Sequence, residues 1–463
     1  MSKTKLAKIL SLLFFVLIST PLFAQEITGT WHGVLKVQGT QLRVVFHISK
    51  TPTGFSTTMD SPDQGAKGIA TQETSFEQGV LKISAPAMGL EYTGKLNSDQ
   101  TISGDFKQGG QSFPLPLSRA VIGNEKPVRP QTPSTPYPYY TEDITFENKV
   151  ANISLAGTLS LPKKEGNYPV VILISGSGPQ NRNSDLFGHQ PFLVLADFLT
   201  KNGIAVLTYD DRGVAKSGGD FSKATTQDFA SDVESAFAYL KTRKEINAKK
   251  IGLIGHSEGG LIAPMVAAKQ KDLAFIVLLA GPGMPTSQLM LLQKEKIERQ
   301  LGASATEIAR GQEIFKGAYQ LILAANDNDA ALKEKLTTYF KAKGGAEASD
   351  QDLSKLINQI TSTWMFNFLK INPADFLKNV HCPVLALNGE LDLQVPPKEN
   401  LQAIKLILNN SGNKKLTVKE FPKVNHLFQE CETGAIDEYS KIEQTLSPTV
   451  LTEILNWLRL QTK

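Results

Sequence analysis

The chain has 463 residues, 41% hydrophobic and 20% charged, with 49 lysines and arginines against 45 acids and two cysteines. That length is too great for one core and implies about two or three domains, and the composition excludes a disordered chain or a bundle of membrane helices. Lys3, Lys5 and Lys8 carry most of the formal +4, so about one positive charge is left beyond them and nucleic acid is excluded as an implied partner.

Those lysines precede an apolar run over residues 9–18, and Pro21-Leu22-Phe23-Ala24 ends on a small residue. The pattern predicts a secretory signal over residues 1–24, cleaved after Ala24, because the run is too short to span a membrane. A secreted or periplasmic location is expected, with no transmembrane segment in the mature chain. No cysteine stands near the cleavage site, so a lipid anchor is not expected.

Residues 25–122 read as all-β. Short alternating segments at 42–48, 80–83, 90–94 and 102–106 are separated by Gly, Asn, Asp and Pro, without an amphipathic helix between them. A small antiparallel barrel or sandwich is expected, with Trp31 as a plug in its core. Residues 123–140 carry Pro127, Pro130, Pro133, Pro136 and Pro138. Proline at that density favours extended polyproline conformation, which predicts a semi-rigid linker and a domain boundary.

From residue 141 to 463 strands and helices alternate. Apolar, β-branched runs at 170–175, 204–209, 251–255, 275–280, 383–387 and 416–421 have the character of strands buried on both faces. Between them lie helical patterns, as over 226–244, where Phe229, Val233, Phe237 and Leu240 recur at three- and four-residue spacing. The alternation predicts a mostly parallel, doubly wound α/β sheet. Residues 284–377 break it with helical periodicity alone and polar interruptions near 326–329 and 344–352. A stretch of that length is no ordinary connection, and a helical cap is expected.

Gly255-His256-Ser257-Glu258-Gly259-Gly260 follows one predicted strand and precedes Leu261-Ile262-Ala263. G-x-S-x-G in this strand-to-helix setting is a nucleophile elbow, with Ser257 at the bend. A serine hydroxyl needs a general base and a group to orient it, which in this arrangement follow in the order Ser, Asp or Glu, His. Of six histidines, at 32, 47, 189, 256, 381 and 426, only His426 follows both an acidic loop and a strand. The acid comes from the loop Gly389-Glu390-Leu391-Asp392-Leu393-Gln394-Val395-Pro396. Asp392 is the better placed and Glu390 the alternative. Two N–H donors should face the oxyanion, from Glu258 and from Ser177 in the loop Ser175-Gly176-Ser177-Gly178-Pro179-Gln180-Asn181-Arg182-Asn183. A phosphate loop is excluded there, since no lysine follows at the required spacing and Pro179 interrupts the turn. Cys382 sits at the start of the strand at 383–387 and Cys431 beyond His426, at its far end. A strand that long separates its ends by roughly 17–20 Å, against a limit of about 7 Å between bridged Cα atoms, so both thiols are expected free.

These motifs, with Tyr209-Asp210-Asp211-Arg212-Gly213-Val214-Ala215-Lys216-Ser217 and Asn425-His426, resemble those of bacterial α/β-hydrolase esterases related to the serine aminopeptidase and prolyl oligopeptidase families. The resemblance covers residue 144 to the C-terminus. Relatives commonly carry His-Gly ahead of the oxyanion loop, where this chain has Ser175-Gly176. The resemblance implies a cofactor-free, metal-free hydrolase acting on esters, with amide cleavage in some members, and a structural role for Arg212. The expected function is a carboxylic ester hydrolase acting through an acyl-enzyme on a small-molecule ester. Ser257 is its nucleophile, His426 its base, Asp392 the orienting acid, and the N–H groups of Ser177 and Glu258 its oxyanion hole. Trp364, Met365, Phe366 and Phe368 of the cap are candidates to line the acyl pocket, packing within the cap being the other account of them. A serine peptidase with the same triad, or an inert binding protein on the same fold, are the competing functions.

Overall fold

The computed structural model describes residues 27–37, 40–64, 66–86, 89–108, 111–121, 129–343 and 349–463. The expected signal segment and the first part of the linker lie outside the described residues. The chain divides between Glu125 and Lys126 into two compact units.

The first unit is an antiparallel half-barrel. Its strands are β1 (Gly29–Val37), β2 (Thr40–Thr51), β3 (Gly54–Ser61), β4 (Ala66–Ala70), β5 (Glu73–Glu77), β6 (Val80–Ala85), β7 (Leu90–Leu96), β8 (Ile102–Gln108), β9 (Gln111–Pro114) and β10 (Leu117–Ser118). They run in the order β4-β3-β2-β1-β10-β8-β7-β6-β5, with β9 beside β8. The sheet curls until the chain entering β5 meets β3, where Thr71 N–H donates to Thr57 O at 3.2 Å. Alternation turns Leu90, Tyr92 and Leu96 inward with Phe46, Ile83, Ile102 and Phe106. Trp31 is fully buried among them, its indole N–H donating to Ile27 O at 2.7 Å, as a core plug should.

The second unit starts with an antiparallel hairpin, β11 (Tyr140–Asn148) and β12 (Ile153–Leu161). Then come β13 (Tyr168–Ile174), α1 (Pro191–Lys201), β14 (Ala205–Tyr209), α2 (Thr226–Leu240), β15 (Ile246–His256), α3 (Glu258–Lys269) and β16 (Phe275–Leu279). After the cap, β17 (Val384–Gly389), α10 (Pro397–Asn410), β18 (Leu416–Phe421) and α11 (Pro448–Gln461) complete it. The strand order is β11-β12-β14-β13-β15-β16-β17-β18, parallel from β14 onward. The physical reason is in the strands: Val170, Ile172 and Ile174 pack on one face with residues of α2, α3 and α10, whereas Val171 and Leu173 pack on the other with α1 and α11. Six of these strands lie where the apolar runs predict them. The hairpin does not appear in the sequence reading, because β11 alternates exposed and buried residues and lacks the continuous apolar run of a central strand.

Between β16 and β17 the cap holds α4 (Thr286–Gln300), α5 (Ala305–Ala324), α6 (Ala330–Ala342), α7 (Asp350–Ile360), α8 (Thr363–Phe368) and α9 (Ala374–Leu377), without a strand among the described residues. Polar side chains fix where four of these six helices begin. Ser304 and Glu307 form a capping box, and Asp329, Ser349 and Ser362 each accept a first-turn N–H; such caps contribute about 1 kcal/mol apiece. Both cysteines are free. No helix of the described residues is long and apolar enough to cross a membrane.

The proline-rich segment departs from its expected character. From Arg129 onward it lies within the second unit, and Arg129 and Gln131 are hydrogen-bonded to that unit's loops. Proline stiffens this stretch, but those polar side chains tie it down rather than leave it as a spacer.

Candidate active site

Ser257 stands between β15 and α3 with φ +54° and ψ −117°, a conformation costly for any residue with a Cβ. The surroundings hold it there. Ser257 N–H donates to Leu279 O at 2.8 Å, and α3 starts at the next residue. A Cβ on Gly255 would lie 2.0 Å from Gly259 O, and one on Gly259 would lie 2.2 Å from Ile174 O. Only glycine lets strand and helix approach this closely, so the motif's glycines are steric requirements. The first N–H groups of α3, Glu258 included, have no partner within the helix and carry the positive end of its dipole.

His426 and Asp392 meet from the loops after β18 and β17. His426 Nδ1 donates to Asp392 Oδ2 at 2.8 Å, both side chains being almost fully buried. Asp392 is itself fixed, Oδ1 accepting from Gln394 and Val395 N–H at 2.8 Å each and Oδ2 from Asn388 Nδ2 at 3.2 Å. Asn425 Oδ1 accepts from the N–H groups of Leu427 and Gln429 at 3.0 Å, shaping the turn that carries His426. Glu390, the other candidate acid, is exposed and accepts from Lys423 N–H at 3.1 Å; it does not join this cluster.

The loop with Ser177 follows β13. Gly176 lies so close to Ser257 that a Cβ on the glycine would be 3.1 Å from Ser257 Cβ, which brings Ser177 into the same site. Ser175 donates its hydroxyl to Asp211 Oδ1 at 2.6 Å, and Gln180 N–H donates to Asp211 Oδ2 at 3.0 Å. Asp210 accepts from the Arg182 backbone at 2.8 Å and guanidinium at 2.7 Å. Burial pushes the Asp211 carboxyl up to about 7, against the lowering effect of the Ser175 and Gln180 hydrogen bonds. Asp210 and Asp211, which stand in a motif quoted for the resemblance but carry no role from sequence alone, therefore anchor the loop that bears Ser177. Their signal was two acids at the end of the strand beside β13. Arg212 turns the other way, pairing with Asp232 at 2.7 and 2.8 Å and binding α2, a structural role.

Two further side chains bear on the site. Burial, reinforced by the neighbouring His426, pushes the His256 imidazole down to about 4, and Nε2–H donates to His426 O at 2.9 Å. Glu258, 2% exposed, accepts at Oε1 from Thr226 Oγ1 at 2.7 Å and from Trp364 Nε1 at 2.9 Å. Burial raises its pKa, with the hydrogen bonds from Thr226, Trp364 and Ser177 opposing it. One carboxyl thus joins the elbow to α2 and to the cap.

Ser257, His256, His426, Ser177 and Glu258 open on one cavity of about 360 Å³, walled elsewhere mostly by apolar groups such as Phe187, Leu195, Leu289 and Met290, with Gln180, Gln293 and Gln394 as further polar lining. Trp364 and Phe368 also line it, their rings stacked 4.8 Å apart. Met365 and Phe366 do not: they are buried in the cap's own core with Leu353, Ile357 and Leu369. At 3.6 residues per turn positions 364 and 368 lie about 40° apart on one side of α8 and Phe366 on the opposite side; Met365 is only about 60° from Phe368, but its side chain packs into the cap's core.

The sequence pattern of the family described as "Serine aminopeptidase, S33" matches residues 190–432, just over half the chain. The chain belongs to this family of α/β hydrolases. Esterase EstD of Thermotoga maritima is 26% identical to this hydrolase over 323 residues, 69% of each chain. An uncharacterised 31.7 kDa protein of Escherichia coli is 24% identical over 251 residues, 53% of the hydrolase and 80% of that protein. Among solved structures, the Pyrococcus furiosus esterase Pf2001 is 18% identical with a TM-score of 0.44, covering 74% of the hydrolase and 100% of that chain.

Proposed function

We propose that this hydrolase is an exported carboxylic ester hydrolase working through an acyl-enzyme. Ser257 Oγ attacks the acyl carbon while His426 Nε2 takes its proton, and Asp392 holds the imidazole in the tautomer that can accept there. The N–H groups of Glu258 and Ser177 stabilise the oxyanion. Collapse of the tetrahedral intermediate expels the alcohol with the proton from His426. Water, activated by the same histidine, then releases the acid and restores Ser257.

The observation that carries this reading is the buried Asp392–His426 hydrogen bond at the cavity into which the strained Ser257 also opens. The cavity's chemistry favours an uncharged acyl group. Its one carboxyl, among the described residues lining it, is Glu258, which is already engaged by Thr226 and Trp364 and held toward its neutral form. An aminopeptidase needs fixed negative charge for the substrate's ammonium group, which speaks against the peptidase reading despite the family's name. The leader over residues 1–24 supports export, with Gln25 as the mature N-terminus.

The test is a panel of p-nitrophenyl esters of graded chain length beside aminoacyl-p-nitroanilides, with Ser257→Ala as control. Ester cleavage should dominate, and Ser257→Ala should lower it by several orders of magnitude, roughly 10⁴-fold or more. Faster anilide cleavage would favour the peptidase; a variant keeping a tenth of the activity would overturn the mechanism.

A further inference from the structure

We propose that Arg129 and Gln131, just ahead of the hydrolase sheet, are positioning residues that strap together one wall of the cavity and so set which acyl groups it accepts. This rests on the ester-hydrolase reading.

Two irregular loops make that wall. Residues 184–190 supply Ser184, Leu186 and Phe187 to the cavity lining, and residues 436–446 supply Ile436, Tyr439 and Leu446. Phe187 and Tyr439 meet edge to face, centroids 5.5 Å apart. His189 bolts the loops from within, Nδ1 lying 2.9 Å from Thr445 Oγ1 and Nε2 3.0 Å from Tyr439 O. Little regular secondary structure spans these loops, so their carbonyl and N–H groups need partners from elsewhere.

Arg129 and Gln131 supply those partners. The guanidinium donates to four carbonyl oxygens on both loops: Ile442 at 2.7 Å, Ser440 at 2.7 Å, Phe187 at 3.1 Å and Gly188 at 3.4 Å. Gln131 Oε1 accepts from the N–H groups of Thr445 at 2.6 Å and Leu446 at 2.9 Å, while Nε2 donates to Leu446 O at 2.7 Å. Phe187 and Leu446 are thus both gripped residues and cavity-lining residues. Five donors in one rigid fork match several carbonyls at once, which a lysine's single ammonium on a flexible stem does not. Removing the fork leaves the two loops joined by His189, by Gln429, whose Nε2 lies 3.0 Å from His189 Nε2 and from Gln444 O, and by one aromatic contact, and the wall carrying Phe187, Tyr439 and Leu446 is held less firmly.

The experiment uses the full chain with Arg129→Ala, Arg129→Lys and Gln131→Ala, and two readouts. Across p-nitrophenyl esters from acetate upward, the ratio of kcat/KM between long and short acyl groups should change by roughly tenfold, mainly through KM of the longer esters. Lysine should behave like alanine, because geometry and not charge is what is lost. Hydrogen exchange should quicken in both loops, 184–190 and 436–446, while β15 to β17 keep their protection. An unchanged chain-length profile, with or without a lowered Tm, would reduce these residues to bracing and overturn the specificity role. Unchanged exchange in the loops would overturn the strap itself, whatever the activity. A wild-type protein that cleaves no ester would overturn the functional reading and the acyl part of this proposal with it, leaving the exchange result to decide the strap.

Discussion

A carboxyl enclosed as Asp211 is, between Ser175 and Gln180 at the foot of the loop that bears Ser177, must give up most of its hydration when it ionises. Its folded-state pKa of about 7 lies above the ordinary 3.8. Between those values the folded protein holds a proton that the unfolded chain has released, so stability falls as pH rises through this window and levels off above it. Each unit is worth about 1.4 kcal/mol, and the loss across the window should be on the order of 2–4 kcal/mol. Asp211→Asn can still face Gln180 N–H with its oxygen and the Ser175 hydroxyl with its amide, but cannot titrate. The measurement is chemical denaturation of both proteins from about pH 4 to pH 8: the wild type should lose stability relative to the variant as pH rises, and parallel curves would sink the argument. Residues of this kind divide by how far their chemistry shows in sequence. Ser257, Asp392 and His426 were legible as candidates that meet at one cavity, because the elbow has a steric signature and the loop order leaves one histidine. Asp210 and Asp211 were legible as letters and not as anchors, since their partners come from another loop. Arg129 was illegible, because it binds backbone carbonyls, which every residue carries.

The cap shows the same division among elements. Its extent and helical character follow from apolar periodicity, though not its division into six helices, and the central strands follow from their continuous apolar runs. The edge hairpin escapes that reasoning: β11 shows half-buried alternation, a weaker signal than a continuous apolar run, and β12, though largely buried, has its apolar run broken by Ser154, Gly157, Thr158 and Ser160. Within α8 composition alone could not divide these side chains, whereas the structure does: Trp364 and Phe368 face the cavity, Met365 and Phe366 the cap's core. Phe368→Ala should therefore shift acyl preference toward longer chains by roughly ten- to hundredfold in relative specificity. Met365→Ala and Phe366→Ala should instead cost about 2–5 kcal/mol of stability with the preference kept. Trp364→Phe separates the ring from its N–H, retaining the stack on Phe368 while losing the hydrogen bond to Glu258. A chain-length profile that moves equally for residues 365 and 368 would mean that the cap responds as a whole and that no one face sets the pocket.

At the scale of the molecule, each unit closes its own core. The half-barrel packs around Trp31, Phe46 and Tyr92, and the α/β unit packs on both faces of its eight-stranded sheet. Every residue assigned to the chemistry lies after Lys126. A fragment beginning at Lys126 should then fold and cleave a small soluble ester at a rate within a few-fold of the whole chain. The boundary has to be chosen on physical grounds, because the prolines mislead here. A fragment beginning at Tyr140 keeps the whole sheet but discards Arg129 and Gln131, and with them the seven hydrogen bonds that grip residues 187–188 and 440–446. Each such bond contributes a net 0.5–1.5 kcal/mol, roughly, so the shorter fragment should melt well below the longer one and show the acyl profile of Arg129→Ala. The two fragments are to be compared by thermal melting and by the ester panel. If both match the whole chain, the strap is dispensable and the linker a plain spacer; if even the longer fragment is inactive or insoluble, the half-barrel contributes to the catalytic unit and the two cores are not independent.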